Sequence, residues 1–391
     1  MSGGGGLRPD FYLLEGLLTP EEREVRDRVR RFCEQHVKPV INDFWERGEF
    51  PYILVRPLAE LGLGGGSLRG HGCAGLSELA NGLVAMELAR GDGSINTFNG
   101  VHSGLAMHSI AMLGSEEQKE RWLPRMARIE LIGAFALTEP EHGSDAVALE
   151  TRARRSGEGW VLDGRKRWIG NASFADLTVV WARDESDEVG AFVVERGTPG
   201  FQASVITGKV AKRASIQCDV RLTEVLVPAA NRLPGATSFG DAARVLTACR
   251  PNVAWGALGH AAACFEIARA YVAEREVFGR PLAATQLIQY RLARMMADIT
   301  SMELMCFRLA QLAESGEVTP AMASLAKFHN ASHARRVAAD ARDMLGGEGI
   351  LLQNDVARHQ TDVEAVITVE GTDTVQALIV GREITGQQAF S

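Results

Sequence analysis

The sequence predicts a mixed α and β fold in which two helical regions flank a sheet, and three textures carry that prediction. Apolar residues recur at helical spacing from about Thr19 to Ile129. From about Leu131 to Phe239 they give way to short β-branched and aromatic runs parted by polar turns. From Asp241 onward, segments rich in Ala, Arg, Leu and Met are helical again. With 391 residues the chain can bury a large core spread over two or three packed regions.

Taken in order, residues 1–16 form a tail, Gly-rich at its start and without an apolar signal core, expected to be flexible. Residues 17–130 are the first helical region. Thr19-Pro20-Glu21-Glu22 is a start signal: a hydroxyl cap, a proline at the first helical position, then acids over the positive end of the dipole. Ser115-Glu116-Glu117-Gln118 is another, in which Gln118 can complete a capping box. Between them the Gly-rich stretch 62–75 reads as loop. Residues 131–240 hold the sheet. Trp160-Val161-Leu162 runs into an expected Asp163-Gly164 turn. Leu177 to Trp181 and Gly190 to Val194 are short strands, and Val220 to Val227 is a strand closed by Pro228. Residues 241–391 contain helices expected from about Ala254 to Glu276, Thr285 to Ser315 and Pro320 to Leu345, long enough to form a bundle.

Composition narrows the function classes. Hydrophobic residues are 46% and charged residues 23%, ordinary for a soluble globular protein. A net charge of −7 argues against nucleic-acid and basic membrane-surface binding. The local basic clusters Arg152 to Arg155 and Arg165 to Arg167 read as solvated faces. No run of about 18 apolar residues is present to span a bilayer. Six scattered cysteines with no CxxC pair read as buried reduced thiols, and nine histidines with no HExxH assign no metal. Thirty-six arginines against six lysines suggest a GC-rich bacterial genome, and Ala389-Phe390-Ser391 is not a peroxisomal address, so a bacterial cytoplasm is expected.

Several motifs carry chemistry. No GxGxxG follows a strand, so any dinucleotide is held without a Rossmann turn. Phe135 to Asp145 opens the sheet region with hydroxyls at Thr138 and Ser144 and approachable backbone at Gly143, suited to a heteroaromatic ring edge or phosphate oxygens. Trp168 beside Ile169-Gly170 leaves room for a flat ring to stack, although a tryptophan is more often core. Arg275 to Leu282 follows a long helix and Gln286 opens the next. Arginine's planar fork suits phosphate, yet Arg and Gly also belong at any helix end. Gly346-Gly347-Glu348-Gly349 is a second Gly-dense turn, a helix stop or a ligand contact. Glu370 follows the apolar run Ala365-Val366-Ile367 and precedes Gly371-Thr372. Partial desolvation there raises a carboxylate's pKa and makes it a base toward a weak carbon acid, the alternative being a surface Glu near a helix start.

In this order and spacing the motifs resemble the acyl-CoA dehydrogenase family over nearly the whole chain, Leu17 to Ala389, and above all its glutaryl-CoA dehydrogenases and the plant short-chain acyl-CoA oxidases. The resemblance implies an N-terminal α-helical domain, a middle β-barrel and a C-terminal four-helix bundle, assembled as a homotetramer. It implies FAD as cofactor, an acyl-CoA substrate and an electron-transfer flavoprotein as acceptor. By motif, Phe135, Leu137, Thr138 and Trp168 would hold the flavin ring, and Ser144 would meet the pyrophosphate region of the ligands. Arg275, Phe278 and Gln286 would reach a neighbouring subunit's FAD, with Gln286, Gly346, Gly347 and Gly349 on its adenosine diphosphate half. Thr372 and Thr374 would touch the FAD phosphates, and Arg250 the CoA. Glu370 would take the α-proton while flavin takes the β-hydride, giving a trans-2-enoyl-CoA. The thioester carbonyl would be held by the base's own N–H and a ribityl hydroxyl, with Val369 and Gly371 flanking the substrate. Some family members place the base near Arg250, but Arg244 to His260 contains no carboxylate.

Three departures shape the expected specificity. Asn96 stands where glutaryl-CoA dehydrogenases carry the arginine that grips the distal carboxylate. A buried dicarboxylyl tail without a counter-charge is costly, so a short or branched, uncharged acyl chain and no decarboxylation are expected. Gly170 stands where many dehydrogenases carry threonine beside flavin N5. The missing side chain would open a path for oxygen, which makes an acyl-CoA oxidase releasing H2O2 the alternative function. Val369 replaces the usual tyrosine and widens the pocket for branched or cyclic chains. Flavin monooxygenases of the same fold and a non-catalytic scaffold are the remaining classes. Glu370 counts against the first, and bound flavin would exclude the second.

Overall fold

The computed structural model describes residues 9–389 apart from 158, so the first eight residues of the expected tail and the last two of the chain lie outside it. Within the segment read as tail, Asp10 accepts hydrogen bonds from the N–H groups of Leu14 and Glu15, and Leu14–Leu17 forms a 3-10 turn. Leu14 and Leu18 are buried against the C-terminal helices. The packed chain thus starts ahead of the first strong helix signal, because two leucines find a core that glycine content does not announce.

Both predicted caps form. Helix α1 (Pro20–Phe32) opens with the Thr19 hydroxyl accepting from Glu22 N–H and Glu22 accepting from Thr19 N–H. A π-helical stretch, Cys33–Val37, leads into α2 (Lys38–Arg47), followed by α3 (Val55–Glu60), α4 (Glu78–Gly91) and α5 (Gly93–Asn99). A second π stretch, Gly100–Ala106, joins α5 to α6 (Met107–Leu113), and α7 (Glu116–Ala127) carries the reciprocal Ser115–Gln118 box. Each cap contributes about 1 kcal/mol. The π stretch also hands the chain to the sheet. Its buried His102 accepts from Gly133 N–H at Nδ1 and donates from Nε2 to the Met126 carbonyl, both at 3.0 Å. Burial pushes this imidazole down to about 4, so it is neutral with its proton on Nε2.

The middle region is one curled seven-stranded sheet. Its strands are β1 (Gly133–Ala136), β2 (Arg152–Ser156), β3 (Gly159–Gly170), β4 (Leu177–Arg183), β5 (Val189–Glu195), β6 (Phe201–Val205) and β7 (Gln217–Pro228). The order is β1-β4-β2-β3-β7-β6, with β5 also on β4. Asp163-Gly164 is not a turn. β3 runs through it, with a register shift against β7 between Leu162 and Gly164 that absorbs the turn-forming pair as a bulge. The reading of both basic clusters as solvated also fails in part: Arg152, Arg154 and Arg155 are exposed, but Lys166 is buried.

The C-terminal helices are α8 (Phe239–Glu274), α9 (Gln286–Glu314), α10 (Pro320–Met344), α11 (Val356–Thr368) and α12 (Asp373–Thr385). α8 begins well before the expected Ala254 and carries Pro251 in its interior, anchored at its start by a Ser238–Asp241 box. Proline was read as a boundary; here it is tolerated inside a helix whose neighbours hold it. Between α8 and α9 lies a two-stranded ribbon, β8 (Glu276–Val277) and β9 (Arg280–Pro281). α10 packs against α8, α9, α11 and α12 and is the centre of the bundle. Three apolar cores each cross a regional boundary. One joins α1 to the sheet interior, one joins α4 to the bundle, and one joins α6 and α7 to β4, β5 and the start of α8. Among the described residues no helix is long and apolar enough to cross a membrane.

Candidate active site at the Glu370 turn

Glu370 lies in the four-residue turn between α11 and α12, where the chain is left-handed at Glu370 (φ 53°) and at Gly371 (φ 92°). A left-handed glutamate costs roughly 1–2 kcal/mol, so the surroundings must impose it. They do so through two buried side chains. Lys327 of α10 donates to the carbonyls of Ile367 (2.8 Å) and Gly371 (2.9 Å) and to Asp373 (3.2 Å). Gln376 of α12 donates to the carbonyls of Glu370 (3.0 Å) and Gly371 (3.1 Å). A Cβ on Gly371 would lie 2.3 Å from Gln376 Nε2, so only glycine fits there.

So held, the Glu370 carboxyl turns inward, and its Oε2 is buried with no hydrogen-bond partner. Burial pushes its pKa above the usual carboxylate range, opposed by the charges of Arg250, Lys327 and Lys212. Arg250 of α8 is itself buried, with Nη1 3.3 Å from Ser324 Oγ and Nε unpartnered. Unpaired donors and an unpaired acceptor at one buried place are what a site awaiting a ligand shows.

The sheet supplies a second surface. A register shift between Lys166 and Ile169 puts Trp168 in left-handed backbone (φ 64°) and turns its indole out, 52% exposed. Arg167, bidentate on Asp219 at 2.8 Å, stands over that indole at 5.2 Å. Its backbone N–H donates to the Thr138 carbonyl (2.8 Å), which brings Thr138 beside Trp168. Phe135 and Leu137 are buried on the same strand and the residues just after it. An outward-facing tryptophan at a strained bulge, next to a threonine, fits the edge and face of a flat heteroaromatic ring. The loop beyond, which displays Gly143 and exposed Ser144, is anchored by Glu139, which accepts from Lys166 (2.8 Å) and from Thr151 N–H (2.9 Å).

Gly170 corrects one expectation. Its missing side chain leaves no open path, because a Cβ there would meet Val101 Cγ2 at 2.8 Å. Val101 comes from the π stretch Gly100–Ala106, whose widened turn carries it into the space.

The remaining predicted residues fall into two groups. Thr372 caps α12 and sits 2.9 Å from the Thr374 hydroxyl, next to Glu370 in sequence and exposed. Val369 is 39% exposed, and Asn96 on α5 packs its amide against Gly256 of α8. Arg275, Phe278 and Gln286 are exposed on the ribbon between α8 and α9 and at the start of α9, with no contact to Glu370. Gly346, Gly347 and Gly349 lie in a 3-10 turn after α10, where Gly349 is required by the Arg342 carbonyl 2.3 Å from a built Cβ. Sequence reasoning missed Lys327, Gln376, Lys212 and Val101. A signal for the lysines did exist: the chain has six, and Lys166, Lys212 and Lys327 are all buried.

Comparison with known proteins places these features. The family models for the acyl-CoA dehydrogenase N-terminal, middle and C-terminal domains match residues 19–130, 134–225 and 239–385. The chain is similar to a short-chain-specific acyl-CoA dehydrogenase of Clostridium acetobutylicum, 32% identical over 94% of this chain and 98% of that protein. It is similar to a crystal structure of glutaryl-CoA dehydrogenase from Mycobacterium smegmatis, 44% identical, with a TM-score of 0.94 over 97% of this chain and 98% of that one. A glutaryl-CoA dehydrogenase from the same organism in complex with FADH2 is 38% identical, with a TM-score of 0.95 over the same shares.

Proposed function

The chain belongs to the acyl-CoA dehydrogenase family, and from that premise we propose that it carries out FAD-dependent α,β-dehydrogenation of an acyl-CoA with Glu370 as the base. The observation that carries this reading is the buried, partnerless carboxylate oxygen of Glu370 in a turn fixed by Lys327 and Gln376. FAD held on Trp168, Phe135, Leu137 and Thr138 supplies the hydride acceptor and, in doing so, makes the product a trans-2-enoyl-CoA. Glu370 removes the α-proton, and the cations around it stabilise the negative charge that then spreads toward the thioester oxygen. Arg250 positions the CoA, Ser144 meets the pyrophosphate region, and Thr372 and Thr374 hold cofactor phosphate at the start of α12. Gly371 and Val369 bound the reacting end of the acyl chain. The substrate is a short or branched, uncharged chain, since Asn96 offers no counter-charge.

Electrons leave to an electron-transfer flavoprotein. Val101 filling the space beside Gly170 supports this over oxidase activity, because the gap an oxidase would use is occupied. Arg275, Phe278, Gln286, Gly346, Gly347 and Gly349 face outward in the single chain, which supports a role across a subunit boundary in a homotetramer.

The test is Glu370→Gln, which keeps the shape and removes the base. The purified protein should stay yellow and bleach with acyl-CoA about 10²–10⁴-fold more slowly than the parent. Bleaching at the parental rate would end the proposal. In the parent the rate should fall as pH drops through the raised pKa of Glu370, because only the ionised carboxylate accepts a proton.

A further inference from the structure

Glu370 is faced by three cations: Arg250 from α8, Lys327 from α10, and Lys212 from the loop between β6 and β7. The buried Cys249 thiol of α8 is the other titratable group whose charge it feels. Lys327 spends its three donors on the turn itself, and Arg250 is partly held by Ser324. Lys212 differs. It is buried, and its ammonium donates to Thr97 Oγ1 at 2.8 Å, its one hydrogen-bond partner among the described residues, which leaves two N–H groups uncommitted.

The placement of Lys212 is built rather than accidental. Its backbone is left-handed (φ 45°), and its N–H is captured by the buried carboxylate of Asp362 on α11. Asp362 also accepts from Trp45 of α2 (3.2 Å), and its neighbour Arg358 is paired with buried Asp92 at the α4–α5 junction. Asp362, Asp92 and Glu370 are the carboxylates that face the ammonium. Lys209 and His260 are the further titratable groups near it. One helix, α11, thus aims the lysine from its middle and ends two residues before the base.

We propose that Lys212 is the counter-cation of the base: hung on Thr97, its uncommitted N–H groups face the partnerless carboxylate of Glu370 and keep it ionised while the acyl chain excludes water. It is a positioning residue acting through Glu370, and the inference rests on the reading of Glu370 given above. No bond to the ammonium forms or breaks, and its proton stays in place throughout.

The experiment is anaerobic stopped-flow bleaching of the holoenzyme with the faster parental substrate of butanoyl-CoA and 3-methylbutanoyl-CoA, from about pH 5.5 to about pH 9, where the base titrates. Lys212→Met should move the acid limb of the rate profile up by about one pH unit. Bleaching would then be about tenfold slower near pH 6 and within about twofold of the parent near pH 9. Lys212→Arg, which keeps the charge, should leave the limb near its parental place. Should the Met variant fail to hold flavin, Thr97→Val removes only the hydroxyl that fixes the ammonium, and should shift the limb in the same direction by less. An unmoved limb in variants with parental spectrum and melting temperature overturns the proposal, as does an Arg variant shifted as far as Met. Glutaryl-CoA turnover present in the parent, lost in Met and kept in Arg, would make the ammonium an anchor for a substrate carboxylate and overturn it too. Glu370→Gln separates the two failures: inactive Gln with an unmoved limb sinks only the role of Lys212, whereas active Gln sinks both.

Discussion

Space beside Gly170 is decided by a single side chain. Val101 lies where a Cβ at Gly170 would have to go, so the glycine reflects close packing against the π stretch rather than a vacancy. Val101→Ala removes two methyl groups from that contact and should cost about 1 kcal/mol of stability. It should also speed reoxidation of the substrate-reduced flavin by air, read as peroxide formed after opening an anaerobic cuvette. If the Ala variant reoxidised no faster than the parent, Val101 would not be the oxygen barrier. The same close view explains Glu370. A glutamate in left-handed backbone is costly, and Lys327 and Gln376 together bond the carbonyls that hold it there. In the sequence Glu370 was visible from its apolar run and its Gly-Thr sequel, but its two clamps were not, because each lies on another element.

Strand β3 shows what an element does for the site. One bulge re-aims Trp168 outward, and two positions earlier Lys166 turns inward to meet Glu139 at 2.8 Å. Burial alone would raise the Glu139 carboxyl, but Lys166, the Glu150 N–H and Thr151 outweigh it and hold it below the usual range. Burial pushes Lys166 the other way, to about 8, even with its partner present. Such a pair adds little net stability but is costly to break. Lys166→Met should therefore cost about 3–5 kcal/mol in urea unfolding, and weaken flavin retention, since Glu139 anchors the loop that carries Ser144. Adding Glu139→Gln to Lys166→Met should recover much of the loss, as the buried charge is then gone. A double variant no more stable than the single one would contradict the pairing argument.

At the scale of the molecule, the single chain leaves apolar surface where partners belong. Phe278, at a ribbon tip with left-handed backbone, is fully exposed, and Leu287 and Tyr290 at the start of α9 are 64% and 63% exposed. Phe278→Asp should reduce the assembly mass measured by light scattering and lower flavin occupancy; a parental mass with full flavin would remove the subunit-contact role. The order of the three regions, the capped helices and most strands followed from local periodicity and turn chemistry, which act over a few residues and so are written in consecutive letters. That Asp163-Gly164 is a bulge, that α8 runs through Pro251 and that Lys166 is buried did not follow, because each is settled by a neighbour distant in the chain. The base itself belonged to the sequence. Its surroundings belonged to the fold: Arg250, Lys327 and Lys212 converge on Glu370 from three elements, and electrostatic energy depends on distance and burial in space, which spacing along the chain does not encode.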